Sequence, residues 1–362
     1  MYGEHDYEVL TSAREGLQRQ EDHFGSKQRH DTDGYNIMPF GYCTYRNRSD
    51  DGKFAFNINT ISEKAIVSKF YPVFRFTNAN STFMAEFLNS SPRVKKKLSV
   101  LAVGTSQVVL SFEALKAAKF DLPCKDEQDK IAAFLECLNA RIENQRTLVV
   151  ALKKYKRGVV RTLLSPKRCS IKNVKWTTSR IGDIGTFIKG APLSKADISL
   201  DGTPFILYGE LYTTYSEVIS NVVRKTQASA DKQYYSQIGD VIIPTSGETP
   251  EEISTASCVM LPDIILAGDL NIYRCTQVDG RIMSYILNHV INDRIARIAQ
   301  GKSVVHVQAA EISKIEITYP DPFSQKTIIA ILAAISDRID QSNAELRLLH
   351  ELRKALLQKL FI

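Results

Sequence analysis

The fold is decided by residues 123–164, which read PCKDEQDKIAAFLECLNARIENQRTLVVALKKYKRGVVRTLL. From Ile131 onward the apolar residues recur in alternating steps of four and three, which is the spacing of a coiled-coil seam. The pattern predicts one helix of roughly 50 Å, because each residue adds about 1.5 Å. The seam comprises Ile131, Leu135, Leu138, Ile142, Gln145, Val149, Leu152, Lys156, Val159 and Leu163.

A second copy of this seam lies 197 residues further along the chain. It comprises Ile328, Leu332, Ile335, Ile339, Ser342, Leu346, Leu349, Arg353, Leu356 and Leu360. Its two polar members, Ser342 and Arg353, fall at the positions where Gln145 and Lys156 interrupt the first seam. The core helices of one large domain would have no reason to repeat these interruptions in register. We therefore interpret the two seams as a duplication.

The sequence in front of each helix is duplicated as well. The segment Gly104-Thr105-Ser106-Gln107-Val108 aligns with Gly301-Lys302-Ser303-Val304-Val305, and Phe87-Leu88-Asn89 aligns with Ile286-Leu287-Asn288. Residues 35–77 and 181–268 contain strand patterns, whereas residues 81–98 and 282–299 contain helix patterns. The repeating unit is therefore a globular α+β segment followed by a long helix.

The repeat also gives the domain boundaries. We expect a first globular domain at residues 1–122, a first long helix at 123–165, a second globular domain at 166–320 and a second long helix at 321–362. By the same alignment, the first domain has no counterpart to residues 176–200, so we expect its front strand to be missing.

Length, charge and cysteine content narrow the function. The 362 residues suffice for two domains and additional helices, and the net charge of +7 favours an acidic partner such as nucleic acid without requiring one. The six cysteines show no metal-binding spacing and indicate free thiols in a reducing, cytoplasmic setting. No apolar run approaches the roughly 18 residues of a membrane span, so we expect no membrane partner.

Catalytic motifs are missing from the sequence. The nearest nuclease-like pair, Asp263 and Asp269, lacks a lysine, and Asp321-Pro322-Phe323 is one proline short of a DNA amino-methyltransferase motif and suits a helix cap. There is no glycine-rich phosphate loop with its lysine, and no two histidines stand four residues apart. We therefore expect a non-catalytic chain that holds neither a metal nor a cofactor.

Three kinds of stretch suit contact with DNA. Arginines and an asparagine follow a strand at residues 44–48, and these side chains can hydrogen-bond to guanine and adenine edges. Aromatic and hydroxyl side chains cluster at residues 208–215 and 244–247, and small flexible donors occupy the two duplicated glycine loops. The competing interpretations are a solvated strand end, ordinary turns, and loops that only tuck against the next strand. The candidate DNA-binding residues are Thr44, Tyr45, Arg46, Asn47, Arg48, Ser106, Gln107, Lys189, Tyr208, Tyr212, Thr213, Thr214, Thr245, Ser246, Lys302, Ser303 and His306.

The whole arrangement resembles the specificity subunit of type I restriction-modification enzymes. The resemblance covers nearly the whole chain and is most specific at residues 42–59, 122–164, 206–215 and 318–361, including Leu122-Pro123 and Glu127-Gln128. It implies an α+β fold in which two target-recognition domains are separated by two long helices paired as an antiparallel coiled coil. The candidate coiled-coil or partner-interface residues are Ile131, Leu135, Leu138, Ile142, Leu152, Ile328, Leu332, Ile335, Ile339 and Leu349.

The resemblance also implies a function and a set of partners. Two different recognition domains on rigid helices would read a bipartite, asymmetric target in double-stranded DNA, with a gap on the order of one DNA turn, ~34 Å. Two methyltransferase subunits would dock along the helices and restriction subunits would join them, and these partners would use AdoMet, ATP and magnesium. A freestanding DNA-binding regulator and a coiled-coil scaffold without a DNA role are the alternatives.

Overall fold

The computed structural model describes residues 7–25, 32–299 and 305–361. The helices are α1 (Gln20–Phe24), α2 (Ser81–Ser90), α3 (Pro92–Leu101), α4 (Phe112–Ala117), α5 (Lys125–Leu163), α6 (Glu210–Thr213), α7 (Pro250–Ile253), α8 (Gly280–His289), α9 (Asn292–Ile298), α10 (Ala309–Ser313) and α11 (Pro322–Leu360). The strands are β1 (Glu8–Ala13), β2 (Gly16–Arg19), β3 (Asn36–Ile37), β4 (Cys43–Tyr45), β5 (Arg48–Ser49), β6 (Phe56–Ile58), β7 (Ala65–Val67), β8 (Val73–Phe74), β9 (Val108–Val109), β10 (Trp176–Arg180), β11 (Gly185–Lys189), β12 (Ile198–Ser199), β13 (Thr203–Leu207), β14 (Val218–Ile219), β15 (Arg224–Thr226), β16 (Asp240–Pro244), β17 (Ser246–Gly247), β18 (Ser257–Val259), β19 (Ile265–Ala267), β20 (Leu270–Cys275), β21 (Val305–His306) and β22 (Glu316–Pro320). The α+β class expected from the sequence is confirmed. Among the described residues, no helix is long and apolar enough to cross a membrane.

The chain divides into two compact units. Unit 1 comprises Met1–Thr147 with Ser342–Ile362, and unit 2 comprises Leu148–Gln341. Both long helices, α5 and α11, run without a break through residues of both units. The boundary between the units therefore falls inside the helices, whereas the domain boundaries expected from the sequence lie at the helix ends.

The two long helices pair in opposite directions. In unit 1 the Gln145 amide donates a hydrogen bond to the Ser342 carbonyl at 3.0 Å, and Arg141 pairs with Glu345 at 2.8 Å. The residue numbers rise along α5 as they fall along α11, which defines an antiparallel pair. The two polar seam positions Gln145 and Ser342 thus meet each other, and a polar pair inside an apolar seam fixes the register of the helices.

The expected seam residues face the interior. Leu135, Leu138, Ile142, Ile328, Leu332 and Ile339 are buried, and Ile131, Leu152, Ile335 and Leu349 are half-buried. In unit 1, Leu135 packs in one cluster with Leu357 and Phe361. In unit 2, Val160 of α5 and Ile328 of α11 belong to the core of the globular domain. Each globular domain is therefore built onto its own stretch of the helix pair.

The sheets repeat between the units. In unit 1 the antiparallel order is β6-β4-β8, and in unit 2 the equivalent strands β18-β16-β20 keep the same order within a longer sheet, β11-β20-β16-β18-β14. A parallel pair occurs in each unit as well, β1 with β7 and β13 with β19. Strands β10 and β11 open the globular domain of unit 2 and pair with β22 and β20, and the absence of their counterparts from the first domain stays a prediction.

A buried glutamine joins each globular domain to its long helix in the same way. The Gln128 side chain donates to the Pro123 carbonyl at 2.9 Å and accepts from the Asn80 backbone at 3.0 Å. Gln325 donates to the Pro320 carbonyl at 2.8 Å and accepts from the Asp279 backbone at 2.8 Å. Asn80 and Asp279 cap α2 and α8, so each glutamine ties the start of a long helix to a helix of its own domain.

A second joint lies inside each globular domain. The Asn89 side chain both accepts a hydrogen bond from the Phe56 backbone and donates one back, at 2.8 and 2.7 Å. Asn288 makes the same two contacts with the Ala256 backbone, at 3.1 and 2.6 Å. These contacts anchor α2 and α8 to the neighbouring strand segment and confirm the alignment of the two asparagines made from the sequence.

Candidate nucleic-acid interface

Two stretches that the sequence analysis treated separately come together in unit 1. Strand β5 pairs with β9 in the register Arg48↔Val109 and Ser49↔Val108. This pairing places residues 49–51 beside residues 106–108, and we call the segments 46–51 and 104–107 loop pair 1. Arg46, Arg48 and Gln107 are exposed within it, and the Gln107 amide donates to the Asp50 carboxylate at 3.1 Å.

The glycine in loop pair 1 has a steric role. Gly104 has a φ of +140°, which side chains other than hydrogen rarely tolerate, and a Cβ there would lie 2.2 Å from the Gln107 carbonyl oxygen. The chain therefore turns tightly at this point, which leaves Ser106 and Gln107 at the surface.

A cleft of about 320 Å³ adjoins loop pair 1 and is lined by several basic side chains. Arg46 and Arg48 line it together with Arg14, Lys53 and His23, which the sequence analysis missed. Arg14 and Lys53 both pair with Asp51, at 2.8 and 3.6 Å. No local signal could have found these residues, because they come from the β1–β2 turn, from α1 and from the segment after β5, and only the fold brings them together.

Three predicted DNA-contacting residues of unit 1 lie below this surface. Thr44 and Tyr45 are fully buried, and their hydroxyls donate to the Pro72 and Leu110 carbonyls at 2.8 and 2.9 Å. Burial raises the pKa of the Tyr45 phenol, so that this group stays a neutral donor. Both residues therefore belong to the core and not to a surface that could contact DNA directly. Asn47 is half-buried, and within the described residues its side-chain oxygen accepts no hydrogen bond.

Unit 2 repeats the same strand pairing with different side chains. Strand β17 pairs with β21 in the register Ser246↔His306 and Gly247↔Val305. We call residues 245–248 and 305–306 loop pair 2. His306 is exposed, Thr245 is half-buried, and Ser246 is buried and donates to the Asp269 carboxylate at 3.1 Å. Lys302 and Ser303, also predicted to contact DNA, lie outside the described residues.

Aromatic and acidic groups surround loop pair 2. The Tyr212 hydroxyl donates to the Ser246 carbonyl at 3.5 Å, and its ring stands edge-on to Tyr208 with centroids 6.5 Å apart. Burial and the nearby Tyr208, Glu252, Glu248 and Asp269 raise the pKa of Tyr212 to about 12. Asp269 was considered only within an incomplete nuclease-like pair, and Glu248 and Glu252 were not among the candidate residues, so the acidic character of this edge was not predicted.

The remaining predicted residues of unit 2 are at the surface. Lys189 is exposed on β11, opposite Asn271 of β20. Thr213 and Thr214 are exposed at the end of α6, and the Thr213 hydroxyl donates to the Gly209 carbonyl at 3.0 Å. Within the described parts of the chain, no group of three or more histidine, cysteine, aspartate or glutamate side chains is placed to hold a metal ion.

Comparisons with known proteins identify the family. A family model described as type I restriction modification DNA specificity domain matches residues 4–152 and again residues 173–350. No curated protein matches the sequence significantly. Among solved structures, the S subunit of the type I restriction-modification system from M. genitalium shares 16% identity and a TM-score of 0.58, over 99% of this chain and 89% of that one. A chain from a study of complex assembly and conformational transition of the type I R-M system shares 16% identity and a TM-score of 0.57, over 92% of this chain and 84% of that one.

The structural likeness establishes the fold, and the two matches to the family model follow the internal repeat found in the sequence. Each match contains one globular domain and a large part of the long helix that follows it. This protein therefore belongs to the type I restriction modification DNA specificity domain family, whose role is in DNA sequence specificity.

Proposed function

We propose that this chain is the DNA specificity subunit of a type I restriction-modification complex and reads a bipartite, asymmetric target. The observation that carries the proposal is the repeated strand pairing with unlike side chains. Loop pair 1 presents arginines and an amide, whereas loop pair 2 presents hydroxyl, imidazole and carboxylate groups. Since these groups suit different base edges, each unit would read its own half-site.

The partners would supply the chemistry. Two methyltransferase subunits would bind AdoMet and methylate an adenine flipped out of each half-site, and restriction subunits would use ATP and magnesium. Exposed apolar side chains on the long helices support a docking role for them. Phe134, Val150, Tyr155, Leu348 and Leu352 are between about half and two-thirds exposed, and docked subunits would cover this apolar surface.

Continuous helices provide a means to fix the gap between half-sites. We expect an insertion of seven residues after Thr147 and another after Gln341 to keep the seam in phase and lengthen the helix pair by about 10 Å. The spacer should then grow by about three base pairs, at about 3.4 Å each, while both half-sites stay the same. The measurement is a map of methylated adenines in DNA from cells that carry the chain and its methyltransferase partner.

A seven-residue insertion after Lys167, between α5 and β10, is the matched control and should leave the spacer unchanged. A spacer that stays the same after the helix insertions would contradict the proposed role of the helices. A second test co-expresses the chain with its genomic neighbours and asks whether a methyltransferase co-purifies. If none does, and the purified chain alone binds DNA specifically, the chain is a freestanding DNA-binding protein.

A further inference from the structure

Two charged seam positions remain to be explained, Lys156 and Arg353. They occupy the same place in the two copies of the repeat, and Lys156 is only 8% exposed. A buried charge without a partner strongly destabilises a protein, so a charge at such a position requires a paired group. The partners of these two residues therefore indicate what the seam interruptions are for.

In unit 2, Lys156 contacts the globular domain. Its Nζ donates to one Glu217 carboxylate oxygen at 2.8 Å, while the other oxygen lies 2.6 Å from His289 Nε2. The ammonium also lies 5.3 Å from the centre of the Tyr285 ring. Burial alone would raise the pKa of Glu217, but the His289 hydrogen bond and the Lys156 charge lower it to about 2. The carboxylate is therefore ionised and held from two sides.

In unit 1, Arg353 of α11 also binds a carboxylate of the globular domain. Its guanidinium binds the Glu86 carboxylate of α2 and donates to the Asn139 side chain of α5 at 2.7 Å. The Arg353 and Glu86 side chains are 29% and 16% exposed, so water screens this pair only partly. Helix α8, the equivalent of α2 in the repeat, supplies Tyr285 and His289 around the Lys156 pair, whereas Glu217 itself lies directly before β14.

We propose that Lys156 and Arg353 are orientation latches. Each binds a carboxylate of the globular domain and holds that domain at one angle on its stretch of helix, and they are therefore positioning residues for reading the DNA target. Apolar contacts resist separation but are not directional, whereas paired hydrogen bonds between charged groups fix distance and direction together. The step to DNA reading rests on the proposed function.

The latch can be separated from simple stabilisation. Replacement of a buried ion pair by apolar residues of similar volume is often neutral or stabilising, whereas removal of one partner leaves an unpaired charge. The double variant Lys156→Met with Glu217→Leu should therefore fold and lose the directional contact, together with the bond between Glu217 and His289. Lys154→Met, at an exposed position of the same helix, is the matched control, and Lys156→Arg should retain the latch.

The first measurement is made on the full chain without DNA. The native cysteines are replaced by serine or alanine, and spin labels are attached at Tyr155→Cys on α5 and Leu200→Cys in the globular domain. Both sites are exposed and lie in unit 2, and the distance between the two labels is measured. We expect the double variant to broaden the distance distribution between the labels about twofold, and the control and Lys156→Arg to leave it unchanged. An unchanged distribution in the double variant would overturn the latch.

The second measurement is made on the assembled methyltransferase complex. We expect the ratio of affinities for DNA with the native spacer and with a spacer one base pair longer to fall about tenfold in the double variant. A broader label distribution with an unchanged ratio would overturn the positioning role. A wild-type complex that does not distinguish spacers would contradict the proposed function instead, and the label distances would still decide the latch. If the double variant does not fold, Arg353→Met with Glu86→Leu tests the same proposal in unit 1.

Discussion

Loop pair 1 and loop pair 2 have the same strand pairing but differ in charge. Arg46, Arg48 and the cleft residues Arg14 and Lys53 make the edge of unit 1 basic, although Asp50 and Asp51 neutralise part of that charge. In unit 2 the carboxylates of Glu248, Glu252 and Asp269 lie near Tyr212 and Ser246. The repeat thus preserves the backbone that presents the loops and varies the groups that they present.

The glutamine and asparagine joints, in contrast to the loop pairs, have the same side chains in both units. Gln128 and Gln325 make the same pair of hydrogen bonds, and so do Asn89 and Asn288. A buried amide has a donor and an acceptor in fixed directions, so few other side chains could satisfy the same two backbone groups. Residues that hold the frame are therefore constant between the units, and residues at the strand ends are free to differ.

The largest effect should come from making loop pair 1 acidic like loop pair 2. We expect Arg46→Glu with Arg48→Glu to weaken DNA binding about 1,000-fold, or about 4 kcal/mol, because two donors to the DNA are lost and like charges repel. Binding of the assembled complex to its target duplex measures this. Arg75→Glu with Arg93→Glu makes the same charge change at exposed sites of unit 1 outside the loop pair. Equal losses in both double variants would show that only net charge matters.

Low pH should destabilise unit 2 because it protonates Glu217. Its pKa is about 2 in the folded chain, against an ordinary value of 4.5, so the ionised form adds up to about 3 kcal/mol of stability. This contribution is complete above about pH 4.5 and is lost as the pH falls towards 2. In urea unfolding, Glu217→Gln should be less stable than the wild type at pH 6, and the difference should shrink by pH 3. The exposed Glu248→Gln should show no such narrowing, and a pH-independent difference for Glu217→Gln would refute this account.

The glutamine joints should contribute equally to the stability of the two units. We expect Gln128→Ala and Gln325→Ala each to reduce the free energy of unfolding by about 2 kcal/mol, because each removes a buried amide and leaves one backbone donor and one backbone acceptor without that partner. Thermal unfolding of the two variants measures the losses, with Gln358→Ala, exposed on α11, as the control. A loss in only one variant would show that the two joints are not equivalent.

The smallest effect should come from the asparagine joints. Asn89→Ala and Asn288→Ala should each cost about 1 kcal/mol, because both asparagines are half-buried and water can replace part of the lost bonding. Hydrogen exchange at the Phe56 and Ala256 amides gives the local measure, since these groups donate to the two side chains. Unchanged hydrogen exchange at both amides would contradict the hydrogen bonds from these amides to Asn89 and Asn288.

The helices were predictable from the sequence almost to the residue. The expected ranges 123–165 and 321–362 compare with Lys125–Leu163 and Pro322–Leu360, because a seam repeated over many turns leaves little freedom in its boundaries. The roles of the polar seam residues were not predictable. Nothing near Lys156 in the sequence points to Glu217 or His289, which only the tertiary fold brings to it.

The candidate interface was predictable only in part. The exposed Arg46 and Arg48 were found, but the pairing of β5 with β9 joins two-residue strands that are far apart in sequence, and such short strands carry no readable alternation. Thr44 and Tyr45 were misread for a related reason. All three residues of β4 are buried, so the strand shows no alternation of inner and outer positions that could have marked these two as core.

The division of the chain has a consequence for its synthesis. Unit 2 is a single continuous segment, whereas unit 1 needs residues from Ser342 onward to cover Phe83 and Leu135 with Leu357 and Phe361. A ribosome that has reached Gln341 has therefore made all of unit 2 but has left the earlier unit incomplete. Unit 1 would therefore be completed after unit 2 although its synthesis begins first, and Phe83 and Leu135 would stay uncovered until the last turns of α11 are made.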